Sequence, residues 1–405
     1  MARLVRAKVQ KAVLVWARES AGFTQAEAAK RVGISESRII EWETRKRAPT
    51  IGQLQKLADA YKRPLSVLYL QEPPTLFQPM RDFRRMPGSG LRRFFPDLAL
   101  EIRIAQQRRQ LAIDLREETG GDNFPFNQTA TLRDNSEAVG EQIRKILNVS
   151  AADRAEWRND PAGYAAFNSW RSRIENLNVL VFQAARIASD EVSGFAIAEE
   201  FFPVIVVSRK DTPPKRRTFS LLHEFSHLML RMSGVSDLDV DAARPPEDAA
   251  VEVFCNQVAA ATLIPRDAFL GEPLLKSHAS SSDDWSDETI AELALNYSVS
   301  REALVRRLLT FRLTTLEFYR KKREQYNEEY RQYKERQREK SKQPGADFLR
   351  NPPRDALTNF GKPLVRMILD SYYQERMSLS DVSGYLGIRT RHIPKLEHIV
   401  GLRGR

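Results

Sequence analysis

Residues 216–230 read RRTFSLLHEFSHLML. His223 and His227 are four apart, so on a helix both imidazoles leave one face, one turn apart. Two imidazoles so placed can bind one zinc ion, and Glu224, next to the first, can reach water held there. The ion acidifies that water and the carboxylate accepts its proton, the chemistry of metal-assisted hydrolysis. Leu221, Leu222, Phe225, Leu228 and Leu230 make the surroundings apolar, where imidazoles without partners would be expensive. A catalytic site needs a third protein ligand and one position left for water. Spacing leaves that ligand open. Glu252 lies far enough past His227 for a loop and a second helix to return. Glu247 and Asp248 compete from the same helix, and His278, His392 and His398 stand in unrelated local patterns. Asn256, one turn beyond Glu252 on the same face, is placed to hydrogen-bond a ligand or to bridge buried backbone. Cys255 reads as a small buried residue, since a fourth protein ligand would close the open position.

These groups need elements to hold them. FAIAEEFFPVIVVS (195–208), before the histidine helix, reads as strand and could align an extended peptide through backbone hydrogen bonds. PPEDAAVEVFCNQVAAATLIP (245–265) reads as a helix, with Pro246 in its first turn and Ala249, Ala250, Ala259, Ala260 and Ala261 permitting close packing. WSDETIAELALNYSVSREALVRRLLTF (285–311) predicts two short helices about the turn NYSVS that complete the domain by packing; Arg301, Arg306 and Arg307 leave DNA contact open.

The chain has 405 residues, 42% of them hydrophobic, which suits two or three domains with sizeable cores. One cysteine excludes a disulfide framework and cysteine-rich zinc fingers. No apolar run is long enough for a membrane span, and MARLVRAKVQKAVLVWARES alternates charge and apolarity too often for a signal-peptide core. We expect a soluble cytoplasmic protein. The net charge of +11 is unevenly spread. Residues 1–70 hold 14 basic and 6 acidic side chains and residues 320–342 hold 10 and 5, leaving the rest slightly acidic. The segment 320–342 reads as a solvated charged helix or linker whose Tyr326, Tyr330 and Tyr333, with Tyr319 just before it, can pack on a partner or elsewhere in the chain.

At the N-terminus, apolar residues recur at helical spacing over residues 4–18. Thr24 with Glu27 forms a capping box for a second helix, Gly33 makes a turn, and Ser35 caps a third helix, SESRIIEWE. IGQLQKLADAY follows, with Leu54, Leu57 and Ala58 inward. This is the pattern of a helix-turn-helix whose third helix enters the major groove. Ser35, Glu36, Ser37 and Arg38 are the candidate base-edge contacts. Thr24 and Gln25 are candidate phosphate contacts, and Arg45, Lys46 and Arg47 suit attraction to the backbone. The stretch from Thr24 to Leu70 resembles the phage-repressor-like (XRE) helix-turn-helix family, most specifically in the run W-E-x-x-K-R-x-P-T. Where that family usually has glycine, this chain has Arg45, and left-handed backbone there would cost about 1 kcal/mol.

Residues 71–87, with four prolines, read as a connector, and 95–118 and 129–170 as helical. FGKPLVRMILDSYYQERMSLSDVSGYLGIRTRHIPKLEHI (360–399) repeats the small-helix grammar and suits a second DNA reader, a dimer contact or a cover on the catalytic domain.

FPVIVVSRK, RRTFSLLHEFSHLML and VEVFCNQVAAATLIP resemble the ImmA/IrrE family of zinc-dependent endopeptidases over roughly residues 170–310. The resemblance implies that His223, His227 and Glu252 are metal ligands, Glu224 the general base and Asn256 a supporting residue. It implies one Zn2+ per chain, with another divalent metal as the alternative, and a regulatory protein such as a repressor as substrate. The expected fold is mainly α: an N-terminal five-helix helix-turn-helix bundle (1–72), a proline-containing connector and helical region (73–165), an α+β zincin-like metallopeptidase core (166–310), a basic Tyr-rich helix or linker (311–343) and a small helical C-terminal domain (344–405). Expected partners are double-stranded DNA, the protein substrate and a second copy in a homodimer, with no membrane. The competing reading is an XRE-type transcription factor or antitoxin-like regulator whose metal site senses or stabilises without cutting.

Overall fold

A computed structural model describes residues 5–74, 81–82, 95–121, 124–188, 192–210, 212–236, 245–277, 285–342 and 351–402. Its contacts divide the chain into two units. The first holds α1 (Lys11–Glu19), α2 (Gln25–Val32), α3 (Glu36–Glu43), α4 (Ile51–Tyr61), a 3-10 helix (Leu65–Tyr69) and the first half of α5 (Pro96–Glu118). Everything else belongs to the second.

In the first unit, Leu14, Ala17, Ala28, Ile39, Trp42, Leu54, Leu57 and Tyr61 form one core. The small Ala28 and Ala29 let α2 sit close to its neighbours. Thr24 and Glu27 make the expected reciprocal capping box. Three expectations change. The first helix begins at Lys11, because Arg6 bridges Thr50 and the Ala7 N–H donates to Pro49 O, which holds that stretch extended. The fifth helix is a short 3-10 turn after Pro64, whose missing N–H and fixed φ favour a new start over continuation of α4. Ser35 occupies the cap position of α3, but its hydroxyl bonds the Ser37 hydroxyl at 3.0 Å instead of a backbone N–H. Under this core lies a buried ion pair: Arg18 Nε donates to Glu43 Oε1 at 2.7 Å, and Gln25 donates to Glu43 Oε2 at 2.8 Å. Arg45 adopts φ 62°, the strained left-handed backbone expected where glycine is missing, and its guanidinium bonds Gln10.

The second unit is built on a five-stranded sheet of order β1-β5-β3-β4-β2, with β1 (Arg81–Asp82), β2 (Leu180–Ala188), β3 (Gly194–Ile197), β4 (Val204–Lys210) and β5 (Gly234–Ser236). β2 runs parallel to β4, and β3 is antiparallel to both β4 and β5. The segment 195–208, expected as one strand, is a hairpin: Ile197 pairs with Val204, and Glu199, Glu200 and Pro203 lie in the connection, where charge and a missing donor interrupt the ladder. α6 (Ser136–Ile146), α7 (Ala151–Trp157), α8 (Tyr164–Glu175), α9 (Pro214–Met229) and α10 (Pro246–Leu263) pack on and around this sheet. α9 touches β3, β4, α8 and α10, and α10 lies between α9 and α6. α9 and α10 each begin on a proline, whose preset φ starts a helix without wasting a donor.

Two short helices, α11 (Arg266–Leu270) and α12 (Pro273–Ser277), lead to α13 (Asp287–Asn296) and α14 (Arg301–Thr310). Leu293, Ala294, Val299, Leu304 and Leu308 join the main core. Arg307, open to DNA contact by sequence, is instead buried. Its guanidinium donates to Glu137 Oε1 at 2.6 Å and to Ile264 O at 2.8 Å, tying α14 to α6 and the end of α10. The basic segment is a helix, α15 (Leu316–Lys342), but one face is not solvated: Tyr319 and Tyr326 are buried in the main core and Lys322 pairs with Asp287 at 2.9 Å, while Tyr333 is exposed. The chain closes with α16 (Pro352–Phe360), α17 (Lys362–Tyr373), α18 (Leu379–Leu386), a 3-10 turn (Thr390–His392) and α19 (Ile393–Val400); α16 packs along β2. No helix among the described residues is long and apolar enough to cross a membrane.

Candidate metal centre and nucleic-acid interface

α9 presents His223 and His227 from one face, as their spacing requires, and α10 presents Glu252 towards both. The three side chains are at most 1% exposed, and their donor atoms lie within 4.8 Å of one another. His223 Nε2 is 3.2 Å from His227 Nε2 and 3.4 Å from Glu252 Oε2; His227 Nε2 is 3.2 Å from Glu252 Oε1. Donors bound at about 2.1 Å to one tetrahedral ion lie about 3.4 Å apart, so this spacing suits a shared metal. Of the carboxylates that compete by sequence, Glu252 belongs to this group and Glu247 and Asp248 do not. His278 lies outside the described residues, and His392 and His398 belong to the C-terminal helices.

The hydrogen bonding supports the same conclusion. His223 Nδ1 is 3.0 Å from Asn256 Oδ1, an acceptor, so Nδ1 carries the proton and Nε2 offers a lone pair. Neither Glu252 oxygen has a hydrogen bond of proper geometry among the described residues. A lone pair facing a buried carboxylate across 3.4 Å is repulsive unless a cation, proton or metal, lies between them. The donor set of two imidazoles and one carboxylate fits zinc or a similar divalent ion.

Glu224 is fully buried. Its carboxylate rests against Gly194 of β3, where a Cβ would meet Glu224 Oε1 at 3.0 Å and Cγ at 3.1 Å. Burial pushes its carboxyl up to about 8, with Glu252 adding to the rise and His223 opposing it. Burial acts on Glu252 in the same direction, but the two imidazoles overcome it and hold that carboxyl at about 2. Burial opposes charge on His223 too, yet Glu252 raises it, whereas burial prevails at His227 and lowers it. Burial raises the Cys255 thiol, so the thiol stays protonated in the packing role expected for it.

Two residues at this site were missed in the sequence. Gly194 makes room for Glu224. Ser236, fully buried at the end of β5, places its hydroxyl 3.2 Å from His227 Nε2 and beside Glu224. A glycine and a serine in short strands carry no periodic or motif signal, and only the sheet order brings them to α9.

On the first unit, Ser35, Glu36 and Ser37 are exposed at the start of α3, and Arg38 is half-buried beside Glu41 at 3.6 Å. Lys46 and Arg47 are exposed just beyond α3. Thr24 and Gln25 are occupied inside the unit, the first by its cap and the second by Glu43. The start of α3 and the basic turn after it are thus open to solvent.

Residues 174–309 match the family described as IrrE N-terminal-like domain, a peptidase family, and residues 14–68 match the family described as helix-turn-helix. Both domains are present in the chain. No curated protein and no solved structure matches it significantly.

Proposed function

We propose, from a chain that joins an IrrE N-terminal-like domain to a helix-turn-helix domain, a DNA-associated zinc-dependent endopeptidase that regulates transcription by cutting a regulatory protein such as a repressor. The observation that carries the reading is the buried convergence of His223, His227 and Glu252 next to Glu224. A structural metal site needs the first three and has no use for the fourth.

His223, His227 and Glu252 would hold the ion, and Asn256 fixes the His223 tautomer so that Nε2 faces inward. A bound divalent ion supplies Lewis acidity towards water and the scissile carbonyl. Glu224 takes a proton from the attacking water and returns it to the leaving amine. Gly194 keeps the space that Glu224 occupies, and the Ser236 hydroxyl supports the groups around it.

A second reading rests on the same burial. All four side chains are at most 1% exposed, so an extended peptide does not reach them in this arrangement. That favours a regulator whose metal senses or stabilises. Mass-spectrometric mapping of new N-termini, after mixing zinc-loaded chain with folded lysate proteins and with a proteome-derived peptide library, decides between them. The peptidase reading expects new termini from wild type, none from Glu224→Gln, and equal metal content in both. New termini from neither, with metal changing only DNA affinity or stability, would leave the sensor.

A further inference from the structure

We infer that the C-terminal helices α17–α19 form a second helix-turn-helix that binds double-stranded DNA through Arg389, Thr390, Arg391 and Lys395. The inference does not depend on the peptidase reading.

The N-terminal module and the C-terminal helices align without a gap at one constant offset. α1 ends at Glu19 and α17 at Tyr373. Thr24 with Glu27 makes a capping box, and so does Ser378 with Asp381. α2 and α18 are each eight residues and end on a left-handed glycine, Gly33 at φ 76° and Gly387 at φ 63°. The turn hydrogen bonds repeat: Ile34 N–H to Ala29 O matches Ile388 N–H to Ser383 O, and Arg38 N–H to Ser35 O matches His392 N–H to Arg389 O. Burial follows the same register. Ile39, Trp42 and Glu43 are buried, as are Ile393, Leu396 and Glu397. Gly33, Ile34, Ile39 and Glu43 recur as Gly387, Ile388, Ile393 and Glu397, and the other pairs differ, so the agreement lies mainly in caps, turn and burial, the features that fix how the last helix is presented.

That presentation leaves the start of the last helix in solvent. Arg389, Thr390, Arg391 and Lys395 are exposed. They align with Ser35, Glu36, Ser37 and Glu41 of the N-terminal module, where two of the four residues are acidic. Among the described residues, no carboxylate pairs with Arg389, Arg391 or Lys395 within salt-bridge distance. The phosphate backbone is the complementary surface for three exposed cations at the start of the last helix, and Arg suits base-edge contact to guanine.

The test uses the full chain and a labelled mixed-sequence duplex of about 40 base pairs, with affinity measured by anisotropy from about 50 to 200 mM salt. Arg389→Glu with Arg391→Glu and Lys395→Glu should weaken binding at least about tenfold. It should also reduce the slope of log affinity against log salt by about 2 to 3, at roughly 0.9 per phosphate contact. The Arg389→Lys, Arg391→Lys variant, which keeps the charge, should retain the slope. Lys46→Glu with Arg47→Glu should lower the slope independently, which separates the two modules. Hydrogen exchange on the wild type should show DNA-dependent protection of α19. Unchanged affinity and slope in the C-terminal variant, with circular dichroism showing it folded, would overturn the inference. So would a slope that stays put while sedimentation shows lost self-association, because the face would then join two copies.

Discussion

Glu224→Gln in the metal-free chain should increase the stability of the α9 region at alkaline pH. Glu224 is fully buried, and burial raises its carboxyl from an ordinary 4.5 to about 8. The folded chain therefore holds a proton that the unfolded chain releases. The stability linked to that proton is complete below about pH 4.5 and is lost as pH rises through about 8. At roughly 1.36 kcal/mol for each tenfold change in proton affinity, the full loss has a ceiling of about 5 kcal/mol. Glutamine has nearly the same shape and stays neutral, so the variant escapes the loss. Hydrogen exchange of α9 amides, compared between wild type and variant at the same pH under chelation, measures the difference directly. It should be close to zero near pH 4 and reach several kcal/mol in favour of the variant near pH 9. Parallel protection at every pH would refute the claim that burial, rather than a compensating contact, controls this carboxyl.

Asn256→Ala removes the acceptor 3.0 Å from His223 Nδ1 and should weaken zinc binding about 10- to 100-fold in competition with a chromophoric chelator, with the helix content unchanged. Gly194→Ala puts a methyl group 2.7 Å from Val206 O and 3.0 Å from Glu224 Oε1; it should cost about 1–3 kcal/mol in denaturant melts and displace the carboxylate, so metal uptake unaffected alongside full stability would count against the packing argument. Arg18→Ala leaves buried Glu43 with Gln25 as its one remaining side-chain donor among the described residues and should destabilise the first unit by about 3–5 kcal/mol, read by urea unfolding through Trp16 and Trp42 fluorescence. Retained stability there would mean that water reaches Glu43.

By itself the sequence determined the parts whose physics is local. The four-residue spacing of His223 and His227 fixes a shared helical face whatever surrounds it, and the Thr24–Glu27 box and Gly33 fix where α2 starts and stops. The grammar repeated near Gly387 was visible too, because caps and turns are short-range. Tertiary structure decided what depends on neighbours distant in the chain. It placed Glu252, and neither Glu247 nor Asp248, beside the two histidines, since a helix offers several faces and only its packing against α9 chooses one. It brought Gly194 and Ser236 to Glu224, split 195–208 into a hairpin, and turned Arg307 from an open cation into a buried tie between α14 and α6. It also decided what the repeated caps leave exposed: the same capping pattern precedes α3 and α19, but only burial shows which side chains each helix keeps in solvent.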